Sequence, residues 1–122
     1  MQETFISDEE REKCRKVAEA FREVLEGEEL VVLDAGRFGF VKLQYYKPPW
    51  GFDNVFTFLD AEALFEDLWE EWMDSQLLDY AKGTPMMEMD YDQIFRCMPK
   101  DKQKALMQKK DELRKVAGLL PT

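Results

Sequence analysis

The chain has 122 residues with 26 acids against 17 bases and no histidine, a net charge of −9, and 45% hydrophobic and 35% charged residues. That length suits one globular domain, residues 1–122, able to bury roughly two thirds of the surface its unfolded chain exposes; the acidity disfavours casual binding to nucleic acid or anionic membrane. The missing histidine removes the usual neutral-pH proton shuttle and the commonest metal ligand, and no apolar run approaches the roughly 20 residues of a membrane span.

In chain order, Ser7-Asp8-Glu9-Glu10 has the form of a capping box, which starts a helix predicted over residues 8–26. Cys14, Val17, Ala18, Phe21, Val24 and Leu25 recur at three- and four-residue steps and give it one apolar stripe, with Gly27 placed to cap its end. The β-forming residues then concentrate between Leu30 and Leu59, which predicts strands at 30–34, 38–46 and 54–59 in an antiparallel sheet. Gly36 supplies the positive φ of the first hairpin loop. In the second strand Val41, Leu43 and Tyr45 share one face, and Phe40, Lys42, Gln44 and Tyr46 the other.

Asp60 caps a second helix predicted over 61–82, closed by Gly83 and Pro85. Its apolar surface, Leu64, Phe65, Leu68, Trp69, Trp72, Met73, Leu77, Leu78 and Ala81, is too broad for one neighbour, so two are expected. A short helix at 91–98, opened by Asp90 and Gln93, places Tyr91, Ile94, Phe95 and Met98 on one face as a core plug. Pro99 opens a final helix at 100–117 with a narrow stripe of Leu106, Leu113, Ala117 and Leu120. The fold class is therefore α+β, a three-stranded antiparallel sheet covered by the first two helices and closed by the third.

Residues 60–92 carry eleven acids and one base, residues 93–122 eight bases and three acids. The last helix can lie against the acidic one, or present its lysines to an external anion. The acids of the second helix, Glu62, Glu66, Asp67, Glu70, Glu71 and Asp74, form adjoining rows that read as a solvated face, a docking surface for a basic partner, or a hard-cation site. In the stiff loop Lys47-Pro48-Pro49-Trp50-Gly51-Phe52, Trp50 and Phe52 either bind a partner or fold inward over the sheet edge, the arrangement that the usual burial of large aromatics favours. Lys109, Lys110, Leu113 and Arg114 are candidates for an anion or dimer contact, the latter making a homodimer through the last helix.

No cofactor motif is present. Gly36 and Gly39 lack dinucleotide and Walker spacing, and Ile94 and Phe95 stand where a calcium loop beginning at Asp90 needs an oxygen ligand and a glycine. Cys14 and Cys97 have neither zinc nor redox-pair spacing, so they read as free thiols, structural rather than nucleophilic. With no basic-then-apolar leader after Met1, a cytoplasmic location is expected, with no membrane partner. The reading is of a non-catalytic, bacterial-type accessory or regulatory module that binds another protein, a basic one by charge. The alternatives are a nucleic-acid-related role, as an acidic mimic of a phosphate backbone or a weak binder through the last helix, and an enzyme working with carboxylates alone.

Overall fold

The computed structural model describes residues 5–25, 30–46 and 51–119, with the backbone alone at 45, 46 and 51–54. The order is α1 (Asp8–Arg22), β1 (Leu30–Asp34), β2 (Phe40–Tyr46), β3 (Gly51–Phe58), α2 (Ala61–Ala81), α3 (Tyr91–Cys97) and α4 (Lys100–Val116), with 3₁₀ turns at Gly36–Phe38 and Pro85–Glu88. The strands form an antiparallel sheet in the order β1-β2-β3. The fold is α+β, as expected.

Three boundaries differ from the sequence reading by more than one residue. α1 ends at Arg22 rather than 26, and its continuation over 23–25 is a turn in which the Leu25 N–H still donates to the Phe21 carbonyl at 2.9 Å, keeping Leu25 buried. Gly27 lies outside the described residues. β2 starts at Phe40 rather than 38, because Gly36–Phe38 wind into the hairpin turn, where the Ala35 N–H donates to the Gly39 carbonyl at 2.8 Å. Gly36 has φ 65° and Gly39 φ 98°. A Cβ on Gly39 would overlap the Phe58 carbonyl oxygen, so this position needs both the conformational freedom and the small size of glycine. β3 starts at Gly51 rather than 54; a bulge between Leu43 and Tyr45 shifts the register and lets pairing run on to Tyr46 opposite Gly51. α4 ends at Val116, within a residue of the expected limit.

The expected caps form, with one change of partner. The Ser7 hydroxyl accepts from the Glu10 N–H at 3.1 Å, Asp60 from Ala63 at 2.8 Å, and Asp90 and Gln93 make the reciprocal box at 2.9 and 3.1 Å. Glu10 is expected to bond back to the start of its own helix. Its carboxylate instead accepts from the Ala61 N–H at 3.0 Å, capping α2 from α1.

The main core lies between the sheet and helices α1, α2 and α4. Cys14, Val17, Phe21, Leu64, Phe65 and Leu68 are fully buried there, and Leu113, Ala117 and Leu119 bring α4 in. Each large side chain among them contributes about 1.5–3 kcal/mol. A second cluster joins the far end of α2 to α3 and α4 through Leu77, Ala81, Ile94 and Met98, with Leu106 packed against it. The broad apolar surface of α2 thus serves two sets of neighbours.

The inner face of β2 carries Phe40 and Lys42, both buried; Val31, Leu33 and Val55 are exposed on the opposite face of the sheet. Alternation predicts two unequal faces, yet the more aliphatic face of β2, with Val41 and Leu43, is the outer one. Lys42 is tolerated inside because α2 brings carboxylates to it.

Candidate functional site

α2 places its acids in several directions, and the surrounding elements pair most of them. Lys42 Nζ donates to Asp67 and, at 2.9 Å, to Glu71, and sits 4.7 Å from the centre of the Phe56 ring. Burial pulls the pKa of this ammonium down, but its bonds to Asp67 and Glu71 outweigh that and hold it above the ordinary lysine value. On the other side of α2, the buried Arg114 guanidinium makes a two-pronged bond to Glu62 at 2.9 and 3.0 Å and lies 3.8 Å from Glu66, with its charge over the Phe65 ring. Lys110 reaches Glu66 at 3.3 Å and approaches the Trp69 ring at 5.9 Å.

Four of the six candidate acids, Glu62, Glu66, Asp67 and Glu71, are therefore engaged inside the chain. Glu70 and Asp74 are not: among the described residues no cation pairs with either. Asp74 is half-buried, and burial, then the charges of Glu70 and Glu71, push its pKa up. Burial and the nearby Asp74 and Glu71 likewise push up the Tyr91 phenol.

These two acids stand on the rim of a groove of about 360 Å³ between α2, α3 and α4. Its apolar lining is Trp69, Met73 and Leu77 from α2, Tyr91 and Phe95 from α3, and Met107 from α4; Glu66, Glu70, Asp74 and Asp92 complete the rim. Tyr91 and Met107 are 40% and 45% exposed, so the apolar wall continues to solvent. Carboxylates and a phenol beside aromatic and thioether surface are acceptors for a cation carried on an apolar body.

The other candidates are placed differently. Trp50 lies outside the described residues, as does the side chain of Phe52, whose backbone belongs to β3 opposite Tyr45 rather than to a loop. Of the proposed anion or dimer contact on α4, Leu113 and Arg114 are buried in the packing against α1 and α2, so neither is presented outward. Lys110 is spoken for by Glu66, and Lys109 is half-buried. Two bases of α4, Lys110 and Arg114, meet the acids of α2, while Lys100, Lys102, Lys104 and Lys115 stay exposed.

Cys14 is buried, and burial foremost raises its pKa to about 11, while Cys97 is exposed with its Sγ 3.9 Å from Met89 Sδ. Among the described residues, no three histidine, cysteine, aspartate or glutamate side chains converge as metal ligands, and no helix is long and apolar enough to cross a membrane.

Sequence reasoning missed Lys42, the cross-helix role of Glu10 and the groove itself. The alternation of Lys42 with Phe40 was the available signal for the first. The groove depends on how α3 and α4 meet α2, which no local pattern records. Comparison with protein-family models, with curated proteins and with solved structures finds no match to this chain.

Proposed function

We propose that this protein is a non-catalytic docking module whose partner-binding surface is the groove between α2, α3 and α4, and that the partner is a basic protein. The observation that carries this reading is the distribution of uncompensated charge. Glu62, Glu66, Asp67 and Glu71 have cations within the chain, whereas Glu70 and Asp74 have none among the described residues and border exposed apolar surface. A half-buried carboxylate beside two others is electrostatically unfavourable alone, and a partner's cation relieves it. Aromatic and methionine side chains beneath supply the apolar contact from which binding energy comes.

A phosphate-backbone mimic draws less support, since internal pairing of four acids breaks the continuous row of free charges such a mimic needs. Nucleic-acid binding by α4 is weakened as a reading because two of its seven bases, Arg114 and Lys110, are turned to the acids of α2 and the chain as a whole carries −9.

The test uses a Glu70→Lys, Asp74→Lys variant. Reversing Glu66 or Glu71 would confuse the result by breaking the pairs with Lys110 and Lys42. Wild type and variant are used to capture proteins from source-cell lysate; the retained protein is purified and its Kd measured against both at low and moderate salt. The reading expects a basic protein that binds the wild type at least tenfold more tightly, with the gap narrowing as salt screens it. A purified partner that binds both forms equally, or no retained protein, refutes it.

A further inference from the structure

We infer that the segment occupying the groove is an amphipathic basic α-helix of the partner, an inference that rests on the docking reading above and adds the conformation and spacing of what binds. α2 presents two parallel rows to the groove. Glu66, Glu70 and Asp74 recur every four residues, and Trp69, Met73 and Leu77 do the same three positions further on. At 1.5 Å rise per residue each step is about 6 Å and each row about 12 Å long. A second helix laid along α2 repeats that spacing: Lys or Arg at its i and i+4 positions meet Glu70 and Asp74, Glu66 being taken by Lys110, and an adjoining row of Leu, Met or Phe meets the apolar floor.

The groove's walls choose between a helix and an extended peptide. All three walls are helices, whose backbone groups beyond the terminal turns are bonded within the helix. An extended segment would find no strand edge there to pair with and would leave its own backbone groups unsatisfied against Trp69, Met73 and Phe95. A helix arrives with those bonds already made.

The chain contains its own example of the contact. Lys110 of α4 has its ammonium 3.3 Å from Glu66 and 5.9 Å from the centre of the Trp69 ring, a helical lysine placing its charge between the first carboxylate and the first aromatic. Glu70 with Met73, and Asp74 with Leu77, repeat that arrangement one and two turns on with no cation in place among the described residues. A second copy of this chain is disfavoured as occupant, since each copy carries −9 and two such copies repel.

The test is selection of a displayed library of random sixteen-residue peptides against the immobilised full chain at moderate salt. Enriched peptides are then synthesised and measured by circular dichroism and Kd. The expected result is enrichment of Lys or Arg at four-residue steps beside an apolar row of the same period, helix content that rises on binding, and at least tenfold weaker binding both to the Glu70→Lys, Asp74→Lys variant and to Met73→Glu. Unchanged urea midpoints for the variants establish that they are folded. No enrichment, enrichment with a two-residue period or without basic residues, or binding indifferent to both variants overturns the inference. If the lysate partner depends on Glu70 and Asp74 while selected peptides are extended, the helix fails and the docking reading stands. If the lysate partner ignores both acids, the docking reading itself has failed.

Discussion

Replacing Lys42 with alanine removes the cation that holds Asp67 and Glu71 to the sheet. The lysine side chain is only 2% exposed, whereas the side chains of its partners are 28% and 35% exposed. The substitution loses two charge-assisted bonds, vacates the space beside Phe56, and leaves two carboxylates four residues apart facing the gap. Breaking a buried pair costs about 3–5 kcal/mol, and because Asp67 and Glu71 retain access to water the lower end, about 3 kcal/mol, applies here. With a urea m-value of about 1.5 kcal/mol/M, the midpoint falls by about 2 M, and Tm falls by about 10 °C for a chain of this size. Urea titration followed by tryptophan fluorescence measures this directly. The triple variant Lys42→Met, Asp67→Asn, Glu71→Gln removes every charge while keeping the stem's bulk, and should lie within about 1 kcal/mol of wild type. The pH dependence has a defined sign. Because the folded-state pKa of Lys42 lies above its ordinary value of 10.5, its stabilisation is fully present below that pH and is lost as the pH rises through the higher folded value. The gap between wild type and Lys42→Met should therefore be constant from neutral pH to about 9 and close in stronger alkali. A Lys42→Ala loss under about 1 kcal/mol, or a triple variant as unstable as the single one, would mean that Lys42 does not hold Asp67 and Glu71 as a buried pair.

Other substitutions test other joints of the fold. Glu10→Ala should cost about 1–2 kcal/mol by uncapping α2 at Ala61. The bond from Ala61, foremost, holds the Glu10 carboxyl below its ordinary 4.5, so this contribution is present above that pH and fades as acid titrates the folded carboxylate; urea midpoints of wild type and Glu10→Ala should converge there. Gly39→Ala should destabilise the hairpin by more than about 2 kcal/mol, since the new Cβ meets the Phe58 carbonyl at a positive φ, whereas Gly36→Ala, with open space around it, should cost only about 1 kcal/mol in thermal melts. A thiol titration of the native protein should find Cys97 reactive and Cys14 silent, and both reactive in denaturant; a native Cys14 reacting as fast as Cys97 contradicts its burial.

The elements were legible because their signals are local. Ser7, Asp60 and Asp90 cap their helices, and Cys14, Val17 and Phe21 repeat at the helical period on the face that is buried. The start of β2 was misread because Phe38 has the composition of a strand residue but winds into the turn that Gly36 and Gly39 permit. The start of β3 was misread because a bulge leaves no signature in hydrophobic alternation. For the candidate site, the sequence marked α2 as acidic, yet six carboxylates on one helix look alike until their neighbours are known. Lys42 comes from 25 residues before Asp67, and Arg114 from 52 after Glu62. Only these long-range contacts divide the acids into a structural set and an uncompensated pair.

Whether the acids divide in this way is read from the purified partner's Kd against two charge-neutralised forms of equal formal charge, Glu70→Gln with Asp74→Asn and Glu62→Gln with Glu66→Gln. The first is expected to weaken binding at least tenfold with little change in the urea midpoint, and the second to lower the midpoint through Arg114 and leave the affinity within about threefold. Equal losses of affinity for both forms, or a loss confined to the second, would contradict that division.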